Sequence, residues 1–530
     1  MNGMEPIYLG DLVAELETQT DAATDVAALD MLEVKSIAYR SSEVKPGSLF
    51  FCIPGIKADG HDFACEAAER GAVALAVQRR VPVDLPQIHF KDTRLALALA
   101  SRNFYGDPSR ALTLSAVTGT NGKTTTTYLI DWICRFHLAR TLGISMEEAS
   151  ARAGLIGTVE TRIGNSKLPS KFTTPESLDL QELLANMRDT KLSHVCMEAS
   201  SHAIALHRVA GISFAVAAFS NLTQDHLDFH NTMEEYFEAK AALFDSPLVA
   251  QRVIDIDTEY GRRLAARCVR NGFEVVTCGR CQDAQIRAET ISYRSDSTSM
   301  CLVGPEGSFS FSFPLIGAFN VSNALLASAT AFVLGIAFQD IAAALSSCPQ
   351  IPGRLERVAA KGIALNDARQ APICVFVDYS HTPDSITKAL DALNEIKTAG
   401  TLIVFGCGGD RDASKRPLMG KAALGADYAI VTSDNPRSED PLRIIEDILP
   451  SMAEHKGRYE VEVDRRSAIA KALRKAKNGD IVLIAGKGHE DYQLIGDKVL
   501  DFDDRVVAAE ELLALVNAGY WSTNRGATCC

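Results

Sequence analysis

Residues 119–125, Gly-Thr-Asn-Gly-Lys-Thr-Thr, combine glycines, a lysine and hydroxyl groups in the pattern of a phosphate-binding loop. Glycines let backbone N–H groups approach an anion, and the start of a following helix adds partial positive charge. Lys123 would reach the terminal phosphates of a nucleotide, and the Thr124 hydroxyl would bind Mg2+. The loop is shorter than the common G-x-x-x-x-G-K-[ST] pattern, because Val117 occupies the position of its first glycine. The pattern predicts a nucleotide site, and the alternative is a turn with a solvated lysine.

The segments on either side of this loop are of the kind that would position it. The apolar run 112–117 is typical of a buried strand, and residues 126–136 carry apolar side chains near helical spacing. Strand, glycine-rich turn and helix follow one another as in known phosphate loops. The polar stretch 139–152 after them is either an additional helix or an exposed insertion.

Two further apolar segments, 194–197 and 214–219, each lead into side chains able to bind a metal. Glu198 follows the first segment, and His226 lies in the polar loop after the second. Ligands of α/β folds bind at the carboxyl ends of the strands, so both residues are predicted to be functional. The alternative for His226 is a structural histidine.

Several polar residues near predicted helices have two interpretations. Lys240 lies in an otherwise apolar helical segment, where it is either functional or extends its ammonium group to solvent. Thr174 is predicted to cap a helix over 175–187, and the alternative for it is a ligand contact. Asn320 and its neighbour Asn323 either cap a helix or contact a nucleobase.

The C-terminal third alternates predicted strands and helices, which predicts a mostly parallel sheet with helices on both faces. Polar loops follow four of these strands, at residues 378–381, 408–412, 433–437 and 486–490. Together they carry arginines and acids at one edge of the sheet. Guanidinium groups bind carboxylates and carboxylates bind ammonium groups, so the loops suit a zwitterionic ligand.

Length and composition limit the classes of function. A chain of 530 residues with 47% hydrophobic residues predicts about three globular domains. The net charge of −13 argues against a nucleic-acid-binding protein. Thirteen scattered cysteines suit a reducing compartment, and neither a signal peptide nor an 18-residue apolar run is found. A cytoplasmic location is expected, with the Cys529-Cys530 end either frayed or lipid-anchored.

Specific motifs resemble those of the Mur ligases, the ATP-dependent amino-acid-adding enzymes of peptidoglycan synthesis. The resemblance covers about residues 34–510. The motifs are GTNGKTT (119–125), FTTPES (172–177), MEASSH (197–202), SNLTQDHLDFH (220–230), EAKAALF (238–244), GAFNVSN (317–323), PGRLERV (352–358), VDYSHTPDS (377–385), GCGGDRD (406–412), KRPLMG (415–420), SDNPR (433–437) and AGKGHEDYQ (485–493).

The resemblance implies an α/β fold of three domains. These are a small N-terminal UDP-substrate-binding domain (1–110), a central P-loop ATPase domain with a mostly parallel sheet (111–350) and a C-terminal Rossmann-like amino-acid-binding domain (351–530). The implied reaction adds meso-2,6-diaminopimelate to the D-glutamate of UDP-N-acetylmuramoyl-L-alanyl-D-glutamate through an acyl phosphate, with ATP as co-substrate and Mg2+ as cofactor. Neither nucleic acid nor membrane is an expected partner, and a monomer is expected.

Residue roles are carried over from the matching motifs. The implied catalytic residues are Lys123, Glu198, His226 and Lys240. The implied metal ligands are Thr124, Glu198, His226 and Lys240 as a carbamate (N6-carboxylysine). Implied ATP contacts are Gly119, Thr120, Asn121, Gly122, Lys123, Thr124, Thr125, Asn320, Arg354, Asp378 and His381. Implied UDP-sugar contacts are Ser42, Thr173, Thr174, Ser200 and Arg208. Implied diaminopimelate contacts are Arg411, Asp434, Asn435, Pro436, Arg437, Gly486 and Glu490.

Three departures and three alternatives accompany this resemblance, and one departure is that the stretch 139–152 is longer than usual. The early D-S-R of the family is Ser41-Ser42-Glu43 here, and Leu206 replaces a frequent glutamine before Arg208. Within the superfamily, the alternatives are an L-lysine-adding ligase, against which Arg437 argues, and a folylpolyglutamate synthetase. From another class, the alternative is a nucleotide-binding protein without catalysis.

Overall fold

The structure, a computed structural model, describes residues 6–14, 16, 18–19, 30–55, 58–170, 172–358 and 373–520. The Cys529-Cys530 end lies outside the described residues. The chain forms two compact units, residues 1–287 with 325–341 and residues 288–324 with 342–530. The domain boundaries near residues 110 and 350 stay a prediction.

The first unit begins with a five-stranded sheet in the order β1-β5-β4-β3-β2, parallel except for the β1–β5 pair. Its strands are β1 Thr18–Gln19, β2 Ser36–Ala38, β3 Ser48–Phe51, β4 Ala72–Val77 and β5 Gln87–Phe90. Its helices are α1 Leu9–Val13, α2 Ala64–Glu69 and α3 Thr93–Phe104. Leu49 and Phe51 face one apolar cluster and Phe50 another, so β3 is buried on both faces.

Strand β6, which ends at the phosphate loop, is an interior strand of the larger sheet of the first unit. Its parallel strands have the order β7-β10-β6-β11-β12-β13, and β8 and β9 continue antiparallel from β7. These strands are β6 Thr113–Thr118, β7 Ala153–Ile156, β8 Thr161–Ile163, β9 Ser166–Leu168, β10 His194–Glu198, β11 Phe214–Phe219, β12 Val249–Asp255 and β13 Val275–Gly279. Because β10, β6 and β11 are neighbours and parallel, their carboxyl ends bring Glu198, the phosphate loop and Ser220 to one edge.

Helices connect these parallel strands. They are α4 Lys123–Leu142, α5 Met146–Ser150, α6 Ser177–Asp189, α7 Ser201–Ala205, α8 Leu227–His230, α9 Met233–Asp245 and α10 Glu259–Arg270. The polar stretch 139–152 is helical, since α4 continues to Leu142 and α5 follows with a capping box at Ser145. The predicted additional helix is therefore present, and most residues of this stretch are exposed.

Strand β14 Ile286–Tyr293 and helices α11 Ala318–Val333 and α12 Phe338–Ser346 have residues in each unit. The second unit contains the antiparallel pair β15 Thr298–Gly304 and β16 Gly307–Phe313. Its six-stranded sheet has the order β17-β18-β22-β19-β20-β21, parallel except for β17. These strands are β17 Glu356–Arg357, β18 Cys374–Asp378, β19 Thr401–Phe405, β20 Tyr428–Val431, β21 Tyr459–Val461 and β22 Ile481–Ala485, followed by the hairpin β23 Tyr492–Ile495 and β24 Lys498–Asp501.

Helices cover both faces of this sheet, as the sequence predicts. They are α13 Pro383–Ile396, α14 Lys415–Ala423, α15 Pro441–Ile448, α16 Arg465–Lys475 and α17 Asp504–Asn517. Ile481 and Leu483 pack into one apolar cluster and Val482 and Ile484 into another, because successive strand residues point to opposite faces. Short 3-10 helices are found at Ser41–Glu43, Gly60–Phe63, Pro108–Ala111 and Leu449–His455. Among the described residues, no helix is long and apolar enough to cross a membrane.

Candidate active site

The phosphate loop joins β6 to α4 and requires glycine at its first position. Gly119 has φ 149° and Gly122 has φ 85°, backbone conformations that residues with a Cβ rarely adopt. A Cβ at Gly119 would also lie 2.0 Å from Ser220 Oγ. The loop can therefore follow this path only because glycine lacks a side chain.

The segment after β11 holds the phosphate loop in place. Thr120 N donates to Asn221 O (2.9 Å), and Asn121 N donates to Asn221 Oδ1 (3.0 Å). Ser220 Oγ donates to Asn121 O (2.7 Å), and Thr223 N donates to Thr120 Oγ1 (3.0 Å). These bonds fix the loop before α4 begins at Lys123, so the helix N-terminus lies where the sequence predicts an anion site.

Two lysines share one carbonyl of this loop. Lys123 Nζ donates to Gly119 O (3.0 Å) and Thr120 O (2.9 Å), and Lys240 Nζ donates to Gly119 O (2.9 Å). Lys240 is only 1% exposed, so the alternative of an ammonium group extended to solvent is wrong. Burial, and in addition the charge of Lys123, holds the pKa of Lys240 well below its usual value. The neutral amine is therefore easier to form here than at an exposed lysine.

Glu198 is buried at the end of β10, next to β6. Its Oε1 accepts from Thr158 N (2.8 Å), and its Oε2 accepts from Thr158 Oγ1 (3.1 Å). A Cβ at Gly157 would lie 2.5 Å from Glu198 Oε1, so a side chain there would displace the carboxylate from its present position. Both oxygens keep lone pairs for a further ligand, because a carboxylate has about four acceptor positions.

His226 differs from Glu198 in its surroundings. Its backbone is left-handed, with φ 53°, and its side chain is 45% exposed. The ring packs edge-on against His202, with 4.7 Å between the ring centroids. The position keeps the imidazole accessible at the edge of the sheet where β11 ends.

Thr124 and Glu198 are suitable ligands for Mg2+, which prefers hard oxygen donors and usually binds through one or two carboxylates plus phosphates. Thr124 is 4% exposed in the first turn of α4. Lys240 in its amine form is a hydrogen-bond donor and becomes a potential ligand only when carbamylated. Within the described part of the chain, no group of three or more His, Cys, Asp and Glu side chains is arranged to hold a metal by itself.

The predicted UDP-sugar residues gather mostly near the end of β10. Thr174 Oγ1 donates to Glu198 O (2.8 Å) and accepts from Ser200 N (3.1 Å). The predicted cap at Thr174 is wrong, because α6 begins at Ser177 with Glu176 in the capping position. Arg208 Nη1 donates to Thr174 O (3.0 Å). Thr174 therefore holds a loop to the strand end.

Two more of these predicted contacts have different positions. Thr173 Oγ1 lies 3.0 Å from Thr158 Oγ1, which connects it to the partner of Glu198. Ser42 lies in the 3-10 helix Ser41–Glu43, which connects β2 and β3 of the five-stranded sheet and is not part of the strand end at β10. Nearby, Tyr39 OH donates to Asp179 on α6 (2.8 Å).

In the second unit, three predicted ATP contacts lie around Tyr379. The Arg354 guanidinium lies 4.8 Å from the centroid of the Tyr379 ring, and the His381 ring lies 4.6 Å from it. Asp378 Oδ2 accepts from Leu355 N (2.7 Å), and burial raises the pKa of Asp378.

The fourth predicted ATP contact in this group, Asn320, lies inside α11. Its Nδ2 donates to Ile316 O (2.9 Å), and its Oδ1 accepts from Asn323 Nδ2 (3.0 Å). Helix α11 already begins at Ala318, so the alternative of Asn320 as its cap is wrong.

The predicted amino-acid residues follow three neighbouring parallel strands of the second unit, β22, β19 and β20. Asn435 Nδ2 donates to Glu490 Oε2 (2.8 Å), which joins the loop after β20 to the loop after β22. Gly486 has φ 119°, and a Cβ there would lie 2.4 Å from Asp434 Oδ2. The backbone at Gly486 can therefore approach Asp434 this closely because glycine lacks a side chain.

Arg437 is fixed by the backbone around it. Its N–H donates to Leu494 O (3.1 Å), and Gly496 N donates to its carbonyl (2.7 Å). Its Nη1 donates to Gly409 O (2.6 Å) in the loop after β19. Pro436 is buried beside it, whereas Arg411 is exposed. One guanidinium is therefore preorganised and the other is at the surface.

Comparisons with known proteins agree with this arrangement. The sequence matches the family profiles "Mur ligase family, catalytic domain" over residues 33–105, "Mur ligase middle domain" over 117–331 and "Mur ligase, glutamate ligase domain" over 353–488. The chain belongs to the Mur ligase family. As a Mur ligase, it is an ATP-dependent ligase that forms an amide bond.

Individual Mur ligases resemble the chain over nearly its whole length. It is 43% identical over 495 residues, 91% of the chain and 94% of the relative, to UDP-N-acetylmuramoyl-L-alanyl-D-glutamate–2,6-diaminopimelate ligase of Geobacillus thermodenitrificans (strain NG80-2). It is 42% identical over 501 residues, 92% of the chain and 96% of the relative, to the ligase of that name of Listeria monocytogenes serovar 1/2a. A solved structure of a ligase of that name matches 97% of this chain and 100% of its own, with a TM-score of 0.67 and 30% identity. The predicted three-domain α/β architecture is confirmed.

Sequence reasoning missed three residues that bond to predicted site residues within their own unit of this Mur ligase. Thr158, Asn221 and Lys487 each bond to a predicted site residue. Asn221 and Lys487 lie inside motifs that resemble the family, so their presence was noted but their contacts could not be predicted. Thr158 lies outside those motifs, and no pattern of residues marks it.

Proposed function

We propose that this Mur ligase joins an amino group of meso-2,6-diaminopimelate to the D-glutamyl side-chain carboxylate of UDP-N-acetylmuramoyl-L-alanyl-D-glutamate. ATP is converted to ADP and phosphate. Relatives of that name at 42–43% identity support this assignment. The observation that carries the choice of acceptor is the bond between Asn435 and Glu490, which places an acid beside the loop that carries Arg437.

The first chemical step transfers the γ-phosphoryl group of ATP to the carboxylate of the D-glutamyl residue and yields an acyl phosphate and ADP. Phosphoryl transfer depends mainly on positioning and on charge neutralisation. Lys123 and the N-terminus of α4 supply positive charge, and the bonds from Asn221 keep the loop rigid. The preformed loop avoids reorganisation at the moment of reaction.

Mg2+ would be held by Thr124 and Glu198, with His226 as a further predicted ligand. When bound, it neutralises phosphate charge during transfer. Thr158 fixes the orientation of the Glu198 carboxylate by donating one hydrogen bond to each of its oxygens. Partners of this kind fix the geometry of a ligating side chain.

Lys240 would act as a carbamate. A neutral buried amine can attack carbon dioxide, and loss of a proton gives an N-carboxylate that carries negative charge. The lowered pKa of Lys240 and its position on Gly119 O support this modification. The product would place oxygen donors next to the phosphate loop, where a second Mg2+ is expected.

In the second step, the acceptor amine attacks the carbonyl carbon of the acyl phosphate. A tetrahedral intermediate forms, loses a proton from nitrogen and expels inorganic phosphate, which leaves the amide. Arg437 and Arg411 are proposed to bind carboxylates of the acceptor, and Glu490 its distal ammonium group. Burial raises the pKa of Glu490, and the charge of Lys487 partly offsets this increase.

The decisive assay measures phosphate release with ATP, Mg2+ and the nucleotide-sugar dipeptide. Release with meso-diaminopimelate, and not with L-lysine or without an amino acid, is expected. Release with L-lysine would keep the ligase and reject the choice of acceptor. No release with either would favour the alternative of a nucleotide-binding protein without catalysis. A chelator should abolish release, and Mg2+ should restore it.

A further inference from the structure

Lys487 is a buried lysine that the proposed mechanism does not use. It follows β22 in the loop that leads to Glu490, and its side chain is fully buried. Its Nζ lies 3.2 Å from Asn435 Oδ1 and 3.2 Å from Glu490 Oε2, and it also donates to Tyr492 O. A lysine ammonium group has three donors, and these three acceptors use all of them.

The orientation of the Asn435 amide depends on this ammonium group. Lys487 Nζ and Leu494 N (3.0 Å) both donate to Asn435 Oδ1. The oxygen of the amide is therefore directed toward them, and Nδ2 is directed toward Glu490 Oε2 (2.8 Å). A rotated amide would face two donors with its own NH2 group, which is unfavourable in a buried site.

The charges of this cluster also suit one ammonium group from a ligand. Asp434 and Glu490 supply two negative charges, and Lys487 cancels one of them. Asp434 is 8% exposed, and its Oδ1 accepts from Asn435 N (2.7 Å). Burial and the charge of Asp434 raise the pKa of Glu490, and the Lys487 ammonium group lowers it. Burying the Lys487 ammonium group costs desolvation free energy even though its hydrogen bonds are satisfied.

We propose that Lys487 is a positioning residue for the acceptor amino acid. Its ammonium group holds Glu490 and the Asn435 amide in the arrangement that receives the distal ammonium group of a diamino acid. All three of its donors are occupied within the protein, so it acts through these two side chains rather than by touching the acceptor. This inference rests on the proposed function, which assigns the distal ammonium group to Glu490.

The test compares two acceptors in the phosphate-release assay with the full-length enzyme and the nucleotide-sugar dipeptide. One is meso-diaminopimelate, and the other is (S)-2-aminopimelate, which keeps both carboxylates and lacks the distal amine. Lys487→Met should raise the KM for meso-diaminopimelate about 30-fold, the usual size of one hydrogen bond to a charged group. The KM values for (S)-2-aminopimelate and ATP should stay within about twofold, because neither uses this bond. The control is Lys471→Met, which removes an exposed lysine paired with Glu462 in the same unit and should change neither acceptor.

Each outcome decides a different point. Equal losses for both acceptors would reject the positioning role, since a general structural defect affects both. No diaminopimelate-dependent release by the unaltered enzyme would reject the proposed function, and this inference with it. If Lys487→Met does not fold, Glu490→Gln is compared with the double variant Lys487→Met/Glu490→Gln. The double variant should lose no more activity with (S)-2-aminopimelate than Glu490→Gln does, because any further loss through the Asn435 amide should be confined to meso-diaminopimelate; a further loss shared by both acceptors would overturn the proposal.

Discussion

Replacing Lys240 with methionine tests the chemistry at this position separately from its packing. Methionine keeps most of the apolar stem of lysine, and it removes only the amine that donates to Gly119 O (2.9 Å). Lys240 is 1% exposed, so the unaltered protein keeps a desolvated amine there. Removing such a group does not cost folding free energy when the replacement packs well.

The expected effect on catalysis is large. If the carbamate of Lys240 stabilises the charge of phosphoryl transfer, its loss should lower kcat about 100- to 1,000-fold, the range for removing one preorganised electrostatic group. This range corresponds to about 3–4 kcal/mol of transition-state free energy. The melting temperature should stay equal or rise. Lys167→Met, at an exposed lysine paired with Glu160, is the control and should retain full activity.

The pKa of Lys240 adds a dependence on carbon dioxide and pH. A lysine of ordinary pKa is neutral in only about one molecule in 2,500 at pH 7. Because burial lowers the pKa of Lys240, its neutral fraction at pH 7 is larger, and this form reacts with carbon dioxide. Enzyme stripped of carbon dioxide should lose phosphate release and regain it with bicarbonate, less so as the pH falls. Lys240→Met should not respond to bicarbonate.

Three results would contradict this reasoning. The first is a loss of less than about threefold in Lys240→Met, which is too small for an electrostatic group of this kind. The second is a marked fall in melting temperature, which would assign the loss of activity to misfolding. The third is the absence of a carbamate signal in carbon-13 spectra of unaltered enzyme with labelled bicarbonate.

Three further predictions concern the phosphate loop, the acceptor and the core. Arg437→Ala should raise the KM for meso-diaminopimelate about 10- to 100-fold and leave the KM for ATP unchanged, as expected for a lost guanidinium–carboxylate bond. The control Arg443→Ala, at an exposed position, should change neither constant. Equal changes of both constants in Arg437→Ala would reject the assignment. Gly119→Ala should abolish ATP binding in a calorimetric titration, because its Cβ would meet Ser220 Oγ at 2.0 Å, whereas Gly143→Ala, with open space around it, should bind ATP normally. Arg465→Met should lower the free energy of unfolding by about 3–5 kcal/mol in denaturant titrations, because it leaves the buried Asp504 carboxylate without its partner. The double variant Arg465→Met/Asp504→Leu should recover most of this loss. A double variant as unstable as Arg465→Met would contradict this reasoning.

Local sequence patterns were sufficient for most secondary structure. Strand β11 has the predicted bounds, 214–219, because the apolar run that marks a buried strand acts over a few residues. The error at Thr174 has a physical cause. A threonine before proline has the pattern of a helix cap, but its hydroxyl is taken by the backbone around Glu198 and Ser200, residues more than twenty positions away.

The sequence by itself determined the family, the phosphate loop and the identity of most candidate site residues, because these are carried by residue type and short spacing. Only the tertiary structure decided which of them share a contact. Lys123 of α4 and Lys240 of α9 meet on Gly119 O although they are more than a hundred residues apart in the chain. The cluster around Lys487 likewise depends on the order β22-β19-β20. Such contacts join residues distant in the chain, and their electrostatics depend on burial, which no local pattern specifies.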